Sequence, residues 1–459
     1  MLSFLRRRVI LSLHEWALGR PTCPFARELE DSQWWSPNEL RALQVTKLKK
    51  LLAHARRRTE FYRRRFEEAG IGRRIDDPLT ALQDLPVLDK SQIRDGLREM
   101  LWRDAPGGLY PQATGGSGGE PLQFFVDRRR QAYDQAARIR SHRWFGVEFG
   151  DPELLLWGSP IERDRTTYFK RIRDRLFGQR LLNAFDMSPR RMDGYLELIQ
   201  RCQPVCLFGY PSSLAFLVEH ARQRDHKLSL RKLRAVFVTG EICLPHQREA
   251  LSAYFDVPVA DGYGARDAGF IAHQCPQGRM HVTAENVLVE IVQDGRLMPV
   301  EEFGEIVVTH LDAFGMPLIR YRTGDRGRLL PGRCACGRGL PLMDVVCGRT
   351  TDFLVLPDGT VKHALSLIYP LREIAGIRQF RATQHEDYSV TVELVPEECA
   401  AVSSLDIVQA VRPVLGEAVS VEVRLVREIP ASPSGKFRYV ESRVNRVTPG
   451  DRKELPLGA

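Results

Sequence analysis

The segment from Thr114 to Leu122 combines four glycines and two hydroxyl side chains within its first six residues. Glycine lets backbone N–H groups approach a ligand closely, and consecutive N–H groups with nearby hydroxyls form a cradle for anions. The pattern predicts a loop that binds phosphate oxygens, and a glycine-rich surface turn is the alternative. It is not a Walker A loop, because no Gly-Lys-Ser/Thr follows. It is not a Rossmann fingerprint, because no clear strand leads into it.

Three later segments carry side chains that could act on a phosphate-bearing ligand, namely Asp261 to Asp267, Arg320 to Asp325 and Pro430 to Lys436. A carboxylate such as Asp325 can accept hydrogen bonds from both hydroxyls of a ribose. A lysine in a mobile segment, such as Lys436, can stabilise charge that develops in a reaction. Each segment alone also fits a simpler interpretation: a core tyrosine at Tyr263, a turn-capping aspartate and an exposed loop lysine.

In this order, the four segments resemble the adenylate-forming ligases, and most of all the branch that contains phenylacetate–CoA ligase and the CapK-like capsule-biosynthesis proteins. The resemblance extends from about Leu40 to about Glu441 and includes the segments Phe61 to Phe66 and Leu85 to Ser91. It implies an α/β fold with a large N-terminal AMP-binding core domain, residues 1–348, and a small mobile α+β C-terminal lid domain, residues 349–459.

The resemblance also implies roles for individual residues. Lys436 would bridge the substrate carboxylate and the α-phosphate of ATP, and Arg349 would contact phosphate or ribose beside a hinge at Thr351 and Asp352. Tyr263 would pack on the adenine and Asp325 would hold the ribose. The remaining nucleotide-binding residues would be Thr114, Gly115, Gly116, Ser117, Gly118, Gly119, Gly240, Glu241 and Gly264.

Three positions depart from the pattern of these ligases. Asp267 stands where a glutamate that helps to hold Mg²⁺ is usual; a carboxylate oxygen is a suitable ligand, but the side chain is one methylene shorter. Gly118 stands where a second Thr or Ser is more common, and Glu120 replaces a basic residue. Asp267 and Gly118 favour a non-catalytic homologue, whereas the intact Asp325 and Lys436 favour an enzyme.

The resemblance predicts an enzyme that activates a carboxylic acid as an acyl-adenylate and transfers the acyl group to coenzyme A. We expect an aryl or apolar acid, from the candidate pocket residues Trp144, Phe145, Phe208, Tyr210 and Pro211. The alternatives are transfer to an amine or hydroxyl, as in capsular polysaccharide or natural-product biosynthesis, and a binding protein without activity.

Cysteine and histidine residues form a second constellation. Cys334 and Cys336 lie in a C-x-C turn, and Cys275 is followed by His281. Three thiolates and one imidazole suit a tetrahedral structural Zn²⁺ site, with His273 as an alternative fourth ligand and buried reduced cysteines as the alternative to a metal. The remaining cysteines show no pairing pattern and are interpreted as structural: Cys23, Cys202, Cys206, Cys243, Cys347 and Cys399.

The net charge of +9 suits an anionic partner, but no nucleic-acid-binding signature is present. Nine scattered cysteines and the lack of a secretory signal predict a reducing, cytoplasmic location. Residues 1–20 combine arginines with Leu, Ile and Trp, so we expect an amphipathic helix packed on the body of the protein, with peripheral membrane contact as the alternative. A homodimer is a further expectation.

Short apolar runs that end in glycine alternate with helical patterns between Glu153 and Glu241, which predicts a largely parallel sheet. Residues Pro37 to Ala69 are predicted to be helical, because leucines recur at helical spacing. From His281 onward the pattern favours β-strands. Beyond Arg349, two strands, a helix and a further strand are predicted, which makes an α+β module of about one hundred residues.

Overall fold

The computed structural model describes residues 5–114, 122–158, 173–185, 187–347, 353–372, 374–397, 402–429 and 439–444. Lys436, Arg349 and Gly115 to Gly119 lie outside the described residues. The chain forms two compact units, a larger one within residues 1–350 and a smaller one mainly within residues 351–459.

Helices make up the N-terminal part of the larger unit. A π-helical turn, Arg6–Ile10, continues directly into the first α-helix. Five further helices follow before the first strand, so that the order is α1 (Leu11–Ala17), α2 (Thr22–Ser32), α3 (Pro37–Arg58), α4 (Glu60–Glu68), α5 (Pro78–Asp84) and α6 (Lys90–Gly96).

The helix predicted from Pro37 to Ala69 is in fact two helices. Thr59 adopts an extended conformation between α3 and α4, and its hydroxyl accepts a hydrogen bond from the N–H of Tyr62. A threonine side chain competes with the helix for backbone hydrogen bonds and favours a cap. The start of α3 was predicted correctly, since Ser36 and Glu39 form a capping box.

A short hairpin, β1 (Tyr110–Ala113) with β2 (Gln123–Val126), flanks the glycine-rich segment. The expectation that no clear strand precedes this segment is therefore wrong. β1 is short, and its polar and apolar residues alternate too little to be recognised. The hairpin is antiparallel and is followed by α7 (Arg128–Arg143), so it remains distinct from a Rossmann unit.

One twelve-stranded sheet dominates the larger unit, in the order β11-β10-β12-β13-β14-β9-β8-β7-β6-β5-β3-β4. The predicted parallel half is confirmed: β4, β3, β5, β6 and β7 are parallel neighbours. Its strands are β3 (Glu153–Trp157), β4 (Gln179–Asn183), β5 (Cys206–Gly209), β6 (Ala235–Thr239) and β7 (Val259–Ala265). The helices between them are α8 (Pro189–Cys202), α9 (Pro211–Gln223) and α10 (Pro245–Phe255).

The other half of the sheet is antiparallel, as the pattern beyond His281 predicts. It consists of β8 (Gly269–Gln274), β9 (Met280–Val282), β10 (Val287–Gln293), β11 (Arg296–Leu297), β12 (Gly304–His310), β13 (Tyr321–Leu330) and β14 (Leu342–Cys347). Leu88, in the segment before α6, exchanges backbone hydrogen bonds with Arg320 and Arg322 at the start of β13. The main apolar core lies between α3 to α6 and this half of the sheet, where Leu48, Phe66, Ile306 and Tyr321 are buried.

The smaller unit is the predicted α+β module. A two-stranded sheet pairs β15 (Phe353–Val355) with β16 (Val361–His363), and a four-stranded sheet has the order β19-β18-β17-β20. The remaining elements are α11 (Leu365–Arg372), β17 (Ile377–Gln384), β18 (Val390–Pro396), α12 (Ser404–Leu415), β19 (Val421–Leu425) and β20 (Val440–Ser442). Leu367, Phe380, Val392 and Ile407 are central to its own core.

Across the described parts of the chain, the model contains no helix that combines the length and the apolar character needed to cross a bilayer.

Candidate functional site

Aromatic residues gather where the parallel strands end. Trp157 ends β3 and Tyr210 follows β5, and their rings stack with centroids 4.1 Å apart. Gly240 follows β6 with φ of +83°, and a Cβ there would lie 3.1 Å from the Tyr210 ring. Only glycine fits this backbone without strain. Ligands of open α/β sheets bind at the carboxyl ends of parallel strands, so this edge is the expected side for a ligand.

Glu241 follows Gly240 and points to the neighbouring helix. Its carboxylate accepts hydrogen bonds from the hydroxyl and the backbone N–H of Ser212, in the first turn of α9. A carboxylate near a helix N-terminus is stabilised by the helix dipole. The pair thus fixes the β6–α10 connection against α9 beside the stacked aromatic rings.

Tyr263 and Asp325 come together across the sheet, although sixty-two residues separate them. The Tyr263 hydroxyl donates to Oδ2 of Asp325 over 3.1 Å. Burial and the Asp325 charge raise the pKa of Tyr263 well above its ordinary value, so the phenol stays protonated as the donor. Gly264 lets the backbones of β7 and β8 approach, since a Cβ there would lie 2.7 Å from the carbonyl oxygen of Gly269.

Asp267 is buried, and both of its carboxylate oxygens accept hydrogen bonds. Oδ1 accepts from the N–H of Ala268 at 3.1 Å, and Oδ2 accepts from the hydroxyl of Tyr321. Arg130 of α7 donates to the carbonyl oxygens of Arg266 and Asp267. The turn after β7 is therefore held from two sides, by β13 and by α7.

Asp261 was not among the residues predicted to bind a ligand. It lies two residues before Tyr263 on β7, so the two side chains share a face of the strand. Burial raises the pKa of Asp261 to about 7, and the charge of Arg248 opposes this shift. The sequence signal that could have identified it is the alternation of residues 261 and 263 beside glycines.

The described ends of the glycine-rich segment are joined through Thr114. Its backbone N–H donates to the carbonyl of Leu122 at 3.0 Å, and its hydroxyl oxygen accepts from the N–H of Leu122 at 2.9 Å. The Thr114 oxygen thus closes the base of the β1–β2 connection, and its own O–H proton can still be donated to another acceptor.

Cys275, His281, Cys334 and Cys336 form one cluster, in which every potential ligand atom lies within 4.8 Å of the others. The Sγ atoms of Cys275 and Cys334 are 3.7 Å apart, and Sγ of Cys336 is 3.3 Å from Nε2 of His281. Pairing of β9 with β14 brings the two halves of the cluster together, with His281 opposite Leu342. His273, the alternative ligand, is not part of it: its Nδ1 lies 2.8 Å from the Gln274 carbonyl oxygen.

The surroundings of the cluster orient its histidine. Nδ1 of His281 lies 3.4 Å from the carbonyl oxygen of Leu340, a contact that favours a proton on Nδ1 and leaves Nε2 free as a ligand. Burial lowers the pKa of His281 to about 4, so the ring is neutral at neutral pH. The N–H of Cys336 also points to Sγ of Cys334 at 3.5 Å.

The predicted pocket residues separate into two groups. Trp144 packs beside the cysteine cluster rather than at the strand ends: its Nε1 donates to Gln33 and its ring lies 5.7 Å from that of His281. Phe145 contacts the buried Phe237. Phe208 and Tyr210 both contact Trp157, and Pro211 begins α9 next to them. Trp157 is the aromatic residue that sequence reasoning missed, since it ends an apolar run and looked like core.

Two known domains match the chain. The AMP-binding enzyme family matches residues 180–313, and the CapK C-terminal domain matches residues 354–443. The first match contains Tyr210, Gly240 and Tyr263; the second spans most of the smaller unit.

Curated relatives and solved structures agree with these matches. Phenylacetate-coenzyme A ligases of Escherichia coli and Pseudomonas putida are 28% and 25% identical, over 72% and 80% of this chain and 75% and 85% of theirs. 2-Hydroxyisobutyryl-CoA ligase, captured with 2-HIB-AMP and CoA in the thioesterification state, superimposes with a TM-score of 0.59 at 19% identity and covers 90% of this chain and 91% of that one. The fold is that of the adenylate-forming ligases. The chain carries matches to an AMP-binding enzyme domain and to a CapK C-terminal domain, and it is similar in sequence to the phenylacetate-coenzyme A ligases.

Proposed function

We propose that the protein is an AMP-forming acid–CoA ligase that activates an aryl or apolar carboxylic acid. The observation that carries the proposal is the hydrogen bond between Tyr263 and Asp325, because it joins an aromatic ring and a carboxylate, the two groups that can bind a nucleoside. The relatives named phenylacetate-coenzyme A ligase support the acid and the acceptor.

The nucleoside of ATP fits this pair. The flat ring of Tyr263 offers a stacking surface for adenine, while Asp325 accepts hydrogen bonds from the ribose hydroxyls. Asp261, on the same face of β7 as Tyr263, would accept from the exocyclic amine of adenine. Gly240 leaves room for the base beside Tyr210, and Glu241 holds the loop that carries Gly240.

The triphosphate would be bound by the glycine-rich segment, with Gly115, Gly116, Gly118 and Gly119 as backbone donors and Ser117 as a hydroxyl donor. Hydrogen bonds between Thr114 and Leu122 support this role, since they fix both ends of the segment. Little covalent chemistry falls to the protein, so catalysis depends on positioning and on charge neutralisation.

Mg²⁺ would accompany ATP and neutralise phosphate charge when bound. Asp267 has the right chemistry, since a carboxylate oxygen keeps a lone pair after accepting one hydrogen bond. Its carboxylate is buried and already accepts from Tyr321 and Ala268, which supports contact through water rather than direct coordination. Asp267 would then orient the metal-bound water while Tyr321 holds the carboxylate.

The carboxylate of the acid would attack the α-phosphorus of ATP, forming a carboxyl–phosphate bond while the bond to pyrophosphate breaks. We assign Lys436 to the charge that develops between the two reactants, and Arg349 to the phosphate or the ribose. The lid domain would begin near residue 349 and turn about Thr351 and Asp352 between adenylation and thioester formation. The thiol of coenzyme A would then attack the acyl carbon and release AMP.

The acyl group would lie at the ends of β3 and β5. Trp157, Phe208 and Tyr210 form a connected aromatic group there. The ring centroid of Tyr210 lies 4.1 Å from that of Trp157, and the ring centroid of Phe208 lies 5.7 Å from it. Aromatic surfaces of this kind favour an aryl or apolar substrate. In the proposed pocket, Trp157 takes the place that was predicted for Trp144, because the ring of Trp144 packs beside the cysteine cluster.

The cysteine cluster fits a structural Zn²⁺ ion. Two sulfur ligands of a tetrahedral site, each about 2.3 Å from zinc, lie about 3.8 Å apart, and a sulfur and a nitrogen ligand lie about 3.6 Å apart. The distances of 3.7 Å between Cys275 and Cys334 and of 3.3 Å between Cys336 and His281 are close to both values. Four protein ligands leave no open position, so the ion would join β8–β9 to the loop before β14.

A pyrophosphate-release assay over a panel of carboxylic acids, started with phenylacetate, tests the proposal. We expect release that depends on the acid, and a thioester that appears only with coenzyme A. Products with amines or alcohols but not with coenzyme A would instead support an acyltransfer role in polysaccharide or natural-product biosynthesis. No pyrophosphate with any acid would support a non-catalytic binding protein.

A further inference from the structure

The N-terminal helix presents its large apolar side chains to solvent. Leu5, Val9, Leu13 and Trp16 recur on one face at spacings of four, four and three residues, and they are between 43% and 81% exposed. The opposite face packs on the body through Leu11 and Glu15. The helix is therefore amphipathic in the reverse of the expected sense: we expected its apolar face to lie inside.

Polar contacts add to the burial of Leu11 in holding this helix in place. The buried carboxylate of Glu15 accepts hydrogen bonds from Arg20 and Thr22, at the start of α2. The guanidinium of Arg6 donates to the carbonyl oxygens of Gly150 and Arg175, at 3.3 Å each. Because these bonds set the rotation of the helix, the apolar face cannot turn inward without exposing Leu11 and breaking the contacts of Arg6 and Glu15.

A neighbouring segment extends the same surface. The ring of Phe177 contacts that of His14, with centroids 4.9 Å apart. Beside Phe177, Leu176 is exposed, as are the side chains of Arg173 and Arg175. Exposed Leu176, Arg173 and Arg175 thus lie next to the N-terminal helix.

We propose that this surface, Leu5 to Trp16 with Leu176 and its flanking arginines, binds a lipid bilayer that contains anionic headgroups. Apolar side chains with arginines at the edge are the composition of helices that lie in the membrane interface, and Trp prefers that depth. The helical run of about 12 residues spans only about 18 Å, so it lies on the membrane and does not cross it. This inference does not depend on the proposed enzymatic function.

Charge favours a bilayer over a second copy of the chain. Two such surfaces packed against each other would bring like-charged arginines together, which costs free energy as the apolar side chains are buried. Anionic headgroups instead neutralise the arginines, so each arginine near such a surface adds to the attraction. Of the carboxylates next to the surface, Glu15 is paired with Arg20, outside the exposed face, whereas Asp174 offsets the charge of Arg173 and leaves Arg175 as the exposed cation beside Leu176.

Sedimentation of the full-length protein with vesicles tests the proposal. We expect binding to phosphatidylcholine vesicles that contain phosphatidylglycerol, little binding to pure phosphatidylcholine, and a loss of binding as salt rises. Leu13→Gln with Trp16→Gln should weaken binding about tenfold or more, since two large apolar side chains would no longer be buried in the membrane interface. The matched control is Leu297→Gln with Val300→Gln, two exposed apolar residues at and beside β11.

Because all four substituted side chains are exposed, both double variants should keep the melting temperature of the wild type. Equal vesicle binding by the wild type and the Leu13/Trp16 variant, or none by the wild type, would overturn the proposal. So would a dimer, measured by analytical ultracentrifugation, that dissociates only in the Leu13/Trp16 variant, because the surface would then be an interface between two copies.

Discussion

The hydroxyl of Tyr263 donates a hydrogen bond to the carboxylate of Asp325 over 3.1 Å, and the bond joins β7 to β13 across three intervening strands. Tyr263 sits where the sheet changes from parallel to antiparallel, since β7 is parallel to β6 and antiparallel to β8. The proposed nucleoside site thus depends on a contact between the two halves of the sheet.

Tyr263→Phe should raise the KM for ATP about tenfold or more, since it leaves the ring in place and removes one hydrogen bond to a charged group. Steady-state kinetics with varied ATP measure this effect. Tyr254→Phe is the control, because its hydroxyl donates to the His226 carbonyl on the far side of α10. An unchanged KM in Tyr263→Phe would show that Asp325 needs no orienting partner.

Asp267→Asn should weaken the apparent affinity for Mg²⁺ about tenfold, the scale for residues that act on a metal through its bound water or ligands. Asp267→Glu should retain activity, because it restores the longer carboxylate. Tyr321→Phe tests the orienting hydrogen bond separately from the carboxylate. The Asp267 carboxylate remains, but the Tyr321 hydroxyl that donates to its Oδ2 atom is removed. Mg²⁺ titrations of the rate that coincide for Asp267→Asn and the wild type would exclude a metal role for Asp267.

Much of the fold follows from the sequence, because burial leaves a strong pattern. Apolar runs such as Glu153 to Trp157 and Ala235 to Thr239 predicted the parallel strands, and Ser36 with Glu39 predicted the start of α3. The cysteine cluster was predictable because zinc ligands are few in kind and tetrahedral sites need four of them.

Other features depend on contacts that a sequence does not reveal. The outward apolar face of the N-terminal helix is set in part by the hydrogen bonds of Arg6 to the distant carbonyl oxygens of Gly150 and Arg175. Trp144 lies beside the cysteine cluster because Gln33 accepts its N–H. Gly150, Arg175 and Gln33 are far from Arg6 and Trp144 in the sequence, so residue types alone predicted an inward apolar face for the helix and a place in the acyl pocket for Trp144.

Cys334→Ser should remove bound zinc and lower the melting temperature by several degrees, because structural metal binding is coupled to folding. Elemental analysis should find about one zinc per wild-type chain, the number that one four-ligand site holds. Cys202→Ser, outside the cluster, should keep both the metal and the stability. A zinc-free wild type with the same melting temperature before and after treatment with a chelator would contradict the assignment.

Asp261 predicts a specific dependence of stability on pH. Its folded pKa of about 7 exceeds the ordinary value of about 3.9, so between these values the folded protein keeps a proton that the unfolded chain releases. The free energy of unfolding therefore falls as pH rises from about 4 to about 7, by at most about 4 kcal/mol. Asp261→Asn removes this loss.

The Asp261→Asn variant should have a melting temperature close to that of the wild type at pH values near 4 and a higher one above pH 7. The exposed Asp225→Asn is the control and should follow the wild type at every pH. Parallel melting-temperature curves for Asp261→Asn and the wild type would show that Asp261 is ionised in the folded protein throughout.

The proposed attack of the acid on the α-phosphorus of ATP is tested most directly by the fate of the carboxylate oxygen. The acid that gives the fastest pyrophosphate release is labelled with oxygen-18 in its carboxylate and incubated with ATP, Mg²⁺ and coenzyme A. Since the acyl–oxygen bond breaks when the thiol attacks the acyl carbon, mass spectrometry should find the label in AMP. Unlabelled AMP, or ADP together with labelled phosphate, would contradict an acyl-adenylate.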